Sequence, residues 1–414
     1  MTHVLINFFH EINESIGGES WENCQLAARL LSVRDTATSE LTSLNVSEND
    51  IRRILTRTIE APFDGIVFLH IRCASQLRNG QYQDAYGTQT HIVQAIAKEV
   101  LQKRKDENWF LPLLYRFCSD LRLCAKAADL RPSYPAPTEQ SSCLEKAAGI
   151  IMECYRSCVA DIRASSETTK RAAILNLTNQ LFRIYFKVNK LNLLKPLVRA
   201  IENCGHLYDT FSMADRVTYK YFTGRKAMFD SDFKAAEEAL SFAFKNCHPE
   251  SQKNKRLILM YLIPVKMFLG HMPSEALLRR YNLMEFFDVA QAVRNGNLRK
   301  LDEALTANES FFINCGIFLM LEKLKVITYR TLFKRVCQIL QTHQVPLEAF
   351  LVVLKYLQVE EPDDPEDQVD ADEVACIVAN LIAEGKIKGY ISHQHQKLVI
   401  SKQNPFPSLA SATG

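Results

Sequence analysis

Glycine and proline are scarce. The 414 residues hold 14 of each, whereas an all-β fold needs such turn formers every ~8–12 residues. Their rarity excludes that class and favours long helices with short connections. Long apolar runs are missing as well. The most apolar stretches surround Leu257–Gly270 and Phe311–Leu321; Pro264 and Lys266 interrupt the first, and Glu322 ends the second. Both fall short of the roughly 20 residues a membrane-spanning helix requires. The Met1 end reads MTHVLINFFHEINES, without the basic start and long apolar core of a secretory signal. Twelve cysteines include no Cys-x-x-Cys pair, so reduced and mostly buried thiols of a cytosolic or nuclear protein are expected. Charge of one sign is not in excess either. Fifty basic against 47 acidic residues leave a net +3, and any affinity for nucleic acid must come from local patches.

Catalytic signatures are equally thin. No Gly-x-x-x-x-Gly-Lys-Ser/Thr or Gly-x-Gly-x-x-Gly loop occurs. His393-Gln394-His395 matches the His-x-His of a metalloprotease, but no Asp or Glu follows His395 to complete a ligand set. Cys154 and Cys158, at i and i+4, lack partner ligands at short spacing, as do Cys204 with His206 and Cys247 with His248. Buried thiols and a solvated tip are the expectation. No metal, cofactor or enzymatic activity is expected.

What is present is an ordinary globular balance: 47% apolar and 23% charged residues, enough for a large core without staples. Helical spacing dominates from Pro62 onward, with Ile66, Leu69, His70 and Cys73 on one face and Ile92, Ile96 and Val100 on another. Arg131–Pro137, with three prolines, cannot be helical and reads as a loop, and Ser39–Asp50 reads as a polar connection. One turn recurs: Gly80-Gln81-Tyr82, Asn189-Lys190-Leu191, Ser231-Asp232-Phe233, Gly270-His271-Met272 and Gly296-Asn297-Leu298 each lead into apolar residues at helical spacing. A stack of helical hairpins follows. Gly224, Ala236 and Ala243 suit the close helix approach of a tetratricopeptide-like (TPR-like) unit.

After Glu322 the pattern changes. A helix capped by Thr328 carries Leu332, Phe333, Val336, Cys337 and Leu340; a second begins at Pro346; a third opens at a capping box, Asp370 to Glu373, and stops at Gly385. Strands Ile387–Ser392 and Lys397–Ser401 flank a polar turn, the second strand as an exposed edge. Three helices and a hairpin make a winged helix. The expected fold is therefore an all-α helical-repeat (TPR-like) solenoid followed by a C-terminal winged helix with a small β-hairpin. Residues 1–60 form an N-terminal helical segment, 61–322 the repeat array, 323–403 the winged helix and 404–414 a flexible tail.

This plan, and the stretches Arg216–Phe244, Ser251–Pro273 and Gly389–Pro407, resemble the PCI-domain family of proteasome-lid, signalosome and initiation-factor subunits. Within that family the stretches look like the PCI subunit of the nuclear complex that couples transcription to mRNA export, and the likeness is strong from about Asn108 to Pro407. The resemblance implies a scaffold. Its partners would be a large GANP/Sac-type scaffold protein and a small acidic Sem/Dss-type protein, with RNA or DNA bound on the assembly and docking at nuclear pores. A subunit of another PCI assembly, signalosome-like or proteasome-lid-like, is the alternative.

The residues themselves say where polyanions would go. Lys323, Lys325, Arg330, Lys334 and Arg335 are five bases with no acid among them; Lys386, Lys388, Lys397 and Lys402 follow Gly385 with none either. Between them, Tyr356–Gly385 holds ten acids and no Lys or Arg. In many winged helices the third helix reads bases in the major groove. Here it would repel phosphate, so base-specific reading by that helix is not expected. Contact should run through the first helix and the wing, His393 and His395 included, in a salt-sensitive, sequence-tolerant mode. A second basic cluster, Lys220, Arg225, Lys226, Lys253, Lys255 and Arg256, is the expected cradle for the small acidic protein.

Overall fold

The computed structural model describes residues 2–34, 47–104, 106–130, 142–162, 168–357 and 369–409. The Arg131–Pro137 loop and residues 358–368 of the acidic block Tyr356–Gly385 lie outside them. So does most of the Ser39–Asp50 connection, whose end is helical: Ser47 caps the helix Glu48–Thr58 by accepting from the Asp50 amide. The chain divides into two compact units, Met1–Tyr219 and Lys220–Gly414. No described helix is long and apolar enough to cross a membrane.

Both units are built from antiparallel helix pairs, and the recurrent turn has one physical cause. Gly80, Asn189, Ser231, Gly270 and Gly296 all adopt positive φ, between 56° and 90°. The residue after each donates its amide to a carbonyl five positions back: Gln81 to Gln76, Lys190 to Tyr185, Asp232 to Ala227, His271 to Lys266 and Asn297 to Ala292, at 2.8–3.0 Å. This is the Schellman closure, which satisfies the last carbonyls of one helix while reversing the chain into the next. The apolar anchor then seals the hairpin; Phe233 stacks on Phe268 with centroids 4.5 Å apart. At Gly224 a Cβ would fall 2.6 Å from Leu240 Cγ, so the helices Met213–Phe229 and Phe233–Asn246 touch where glycine stands. Ala236 and Ala243 are fully buried beside it.

The first unit contains a costly group. Asp120, on the helix Leu111–Leu130, has no exposed surface. Its Oδ2 accepts from the Val33 amide at 3.2 Å, and Arg116 stands 3.8 Å from Oδ1. Burial pushes the carboxyl up to about 6 from the usual 3.8, against the pull of Arg116 and the Val33 amide. The folded state therefore holds this proton more tightly than the unfolded chain. Stability supplied by the group is complete below about pH 4 and is lost as pH rises through about 6, by about 3 kcal/mol in all. Asp120→Asn should remove that slope. Urea titrations at about pH 4 and pH 7 should show the variant gaining on the wild type as pH rises; parallel curves would refute the assignment.

The second unit ends in a winged helix. Its helices are α1 (Leu324–Leu340), α2 (Leu347–Leu357) and α3 (Ala371–Ala383), and its strands β1 (Gln344–Pro346), β2 (Gly389–Ser392) and β3 (Lys397–Ile400). The sheet order is β1-β3-β2, antiparallel throughout. β3, expected as an edge, is the central strand, because Gln344–Pro346 supplies a third strand too short to stand out in the sequence. The core gathers Phe333, Val336, Phe350, Leu354, Val374, Val378, Leu381, Leu398 and Ile400. Asp370 Oδ1 accepts from the Glu373 amide at the start of α3, as the capping box requires. Thr328 does not cap α1. That helix starts four residues earlier, and Thr328 Oγ1 donates back to the Leu324 carbonyl. Nor is the described part of the tail loose: Lys388 N donates to the Pro405 carbonyl, and Leu409 is buried against Gly270.

Candidate nucleic-acid interface

The five bases of the first helix do not form one strip. At 100° per residue, Lys323, Arg330 and Lys334 fall within about 40° of one another on α1. Lys325 and Arg335 lie on the far side, where Leu332 packs on the Gly296 turn. Those two are used locally. Lys325 pairs with Asp302 at 2.9 Å, and Arg335 donates to the Arg294 carbonyl and to Asn295 Oδ1.

Arg330 is a correction of another kind. It is buried, and its guanidinium donates through Nε to the Lys386 carbonyl at 3.2 Å and through Nη2 to the Pro407 carbonyl. Phe406 lies under the same group, 5.8 Å from centroid to Cζ. Desolvation lowers its proton affinity. Arg330 is thus a clamp rather than a phosphate contact: it pins the approach to the wing and the chain end onto α1. The clamp also sets the positions of the others. Lys334 stands one helical turn from Arg330, and Lys388 follows two residues after the carbonyl that Arg330 grips. Helix stripe and wing therefore meet.

On the wing, Lys386 is paired with Glu384. Lys388, Lys402, His393 and His395 are exposed, and Lys397 is half-exposed. His393 Nδ1 lies 3.3 Å from Gln396 Nε2 across the turn. Among the described residues, Lys323, Lys334, Lys388, Lys397 and Lys402 carry no ion pair. These five are the cations left for a polyanion. Sequence reasoning missed Tyr390, which is 63% exposed on β2 between Lys388 and Ser392; the alternation Lys-x-Tyr-x-Ser was the available signal. The acidic helix α3 keeps Asp372 and Glu373 exposed, and Glu384, just past its end, is exposed as well but paired with Lys386.

The second basic cluster folds onto its own aromatic rings. Arg225 Cζ sits 4.3 Å from the Tyr261 centroid, Lys255 Nζ 5.0 Å from Phe244, Lys220 Nζ 6.0 Å from Phe242 and Arg256 Cζ 5.9 Å from Phe311. Arg256 also donates to the Asn282 carbonyl, and Lys226 pairs with Asp230. Only Lys253 of this set stands exposed without such a use. Cation–π contacts of this kind cover the hairpins more than they offer charge to a ligand. A groove with basic lining lies nearby instead. It has about 910 Å³ and is lined by apolar Leu259, Leu262, Ile263 and Leu277 and by Lys234, Lys245 and His271, with Glu237 in the lining neutralised by Lys266 at 3.3 Å.

His, Cys, Asp and Glu nowhere form a metal-binding group of three among the described residues. Cys154 and Cys158 are buried, as are Cys204 and Cys247. Desolvation raises Cys158 to about 12, so it is a protonated core thiol at neutral pH.

Helical hairpins ending in a winged helix with an α1-β1-α2-α3-β2-β3 order define a PCI-domain protein, and the PCI domain family matches residues 305–402. The likeness to curated proteins extends over the whole chain. It is 51% identical over 411 residues to the PCI domain-containing protein 2 homolog of Caenorhabditis elegans, covering 98% of each. It is 50% identical to PCI domain-containing protein 2 of Xenopus laevis and 49% identical to that of Danio rerio, covering 99% of this chain and 100% of each relative. The chain belongs to the PCI domain-containing protein 2 family.

Proposed function

We propose that the chain is a non-catalytic scaffold subunit of a nuclear mRNA-export assembly. It binds a GANP/Sac-type scaffold protein and a small acidic Sem/Dss-type protein, and contributes a sequence-tolerant surface for RNA or DNA; its place is the nucleus, at the pore. The observation that carries the nucleic-acid part is the reversal of charge within the winged helix. The helix that would read bases exposes Asp372 and Glu373 at its start, while α1 and the wing carry exposed Lys323, Lys388 and Lys402 and half-exposed Lys334 and Lys397. Phosphates are attracted to the flanks and repelled from the reading helix, which leaves backbone tracking without base readout.

For the acidic partner, the groove lined by Lys234, Lys245 and His271 replaces the cluster around Arg225. Its faces run along Phe233–Asn246 and Gln252–Phe268, long enough for about three turns of an acidic amphipathic segment. Affinity purification of the tagged chain, with and without nuclease, tests the assembly. A large scaffold protein and a small acidic protein should co-purify after nuclease, and Lys234→Glu with Lys245→Glu should strip the small one. Recovery with a set of other PCI subunits instead would overturn the reading.

A further inference from the structure

We propose that Tyr390 is a base-stacking platform, and that the ligand on the outer face of the winged-helix sheet is a single strand. The inference rests on the nucleic-acid reading above and sharpens it. β2 and β3 pair with Gly389 opposite Ile400, Tyr390 opposite Val399, Ile391 opposite Leu398 and Ser392 opposite Lys397. Partners in register share a face. Leu398, Ile400 and Ile391 belong to the core, so Tyr390, Ser392, Lys397 and Val399 point outward. Lys388, two residues before Tyr390 and still paired through its carbonyl to the Ser401 amide at 2.8 Å, continues the outward row by alternation.

The result is an aromatic ring straddled by two lysines. Lys388 is one pleat away on the same strand. Lys397 is the diagonal neighbour on the next, about 7–8 Å off. The ring is not part of the packing: it is 63% exposed, and among the described residues it stacks on no other ring, while the nearest such pairs in this module, Tyr329 with Phe333 and Phe333 with Phe350, are inside it. No acid occurs from Lys386 to the end of the chain. A free ring between two free ammonium groups on a pleated surface suits a nucleic-acid strand whose bases are unstacked: the lysines hold the backbone and the ring takes a base face. A duplex offers no such face, and a single strand offers one at every residue regardless of sequence. A protein edge docking on β2 is the competing use of this face.

The test measures binding of the full chain to labelled oligo-dT, to an abasic oligomer of equal length and to a duplex. Tyr390→Ala should weaken oligo-dT binding about tenfold, the loss of one stacked base, and leave the abasic and duplex ligands unchanged. Tyr390→Phe, which keeps the ring, should bind as the wild type does. Lys388→Glu should weaken all three. A normal Tyr390→Ala affinity for oligo-dT beside a weakened Lys388→Glu would overturn the stacking and leave the basic surface standing. An equal Tyr390→Ala loss on the abasic oligomer would also overturn it. If Lys388→Glu changes nothing, the nucleic-acid reading falls with it.

Discussion

Gly296→Val is expected to cost roughly 2–5 kcal/mol, a large share of the stability of the second unit. Two independent penalties add. Gly296 holds φ +67°, where an L side chain costs roughly 1–2 kcal/mol and a β-branched one more. Its missing side chain is also where α1 passes: a Cβ would sit 2.6 Å from Leu332 N and 2.9 Å from Leu332 Cα. Those are backbone atoms of a helix and cannot swing aside, so the hairpin and α1 must separate, at roughly 1–3 kcal/mol. Against a typical total of about 5–15 kcal/mol, that is severe. Gly316 supplies the control. It has φ +70° in the same unit, and a Cβ there would meet nothing within 4 Å. Gly316→Ala should lose only about 1 kcal/mol. Thermal and urea midpoints measure both; similar losses at the two sites would mean that the contact with α1 carries no energy.

Joint reversal of Lys323, Lys334, Lys388 and Lys397 to Glu should lower affinity for RNA and DNA on the order of 100-fold at low salt. Each lost phosphate contact should flatten the dependence of log K on log salt by about 0.7 for a single strand. These are four of the five unpaired lysines of the winged helix, on the two elements that Arg330 clamps together. Lys253→Glu, an exposed reversal away from the winged helix, should change affinity little. The losses should be alike for unrelated sequences, because α3 presents carboxylates where a reading helix presents Arg, Lys, Asn or Gln. Gel-shift or anisotropy titrations across salt decide it. A strong preference for one sequence that survives high salt would refute the scheme, and so would four reversals that leave the salt slope untouched.

The two predictions draw on different kinds of residue, and they were not equally legible. The turn at Gly296 was visible because a small or turn-forming residue, then a polar residue, then an apolar anchor, five times over, is local chemistry. Asn189 and Ser231 were found the same way, and both adopt the left-handed conformation. Gly224 was placed by its spacing from Ala236, and it meets Leu240 as a small residue should. The strand Gln344–Pro346 was invisible. Three residues carry no period, and only β3 beside it makes them a strand.

The charges followed the opposite course. Counting found the acidic block over α3 and the basic runs around it, but it could not say which cations were already employed. Arg330 reads like Lys334 in the sequence; in the fold one turn of helix separates a buried clamp from a half-exposed, unpaired cation. Arg225, Lys255 and Arg256 read as a patch and are spread over aromatic rings instead. Tyr390 reads as one more apolar strand residue until the register turns it outward.

By itself, the sequence determined the helical hairpins, the winged helix and the sign of charge on each of its elements. Those depend on propensity, turn chemistry and composition, all properties of near neighbours along the chain. Tertiary structure alone decided which lysines and arginines are free, which strand is central and which aromatic faces water. Those outcomes depend on what lies across the fold from each side chain: the Lys386 and Pro407 carbonyls for Arg330, Asp302 for Lys325, and empty space for Tyr390.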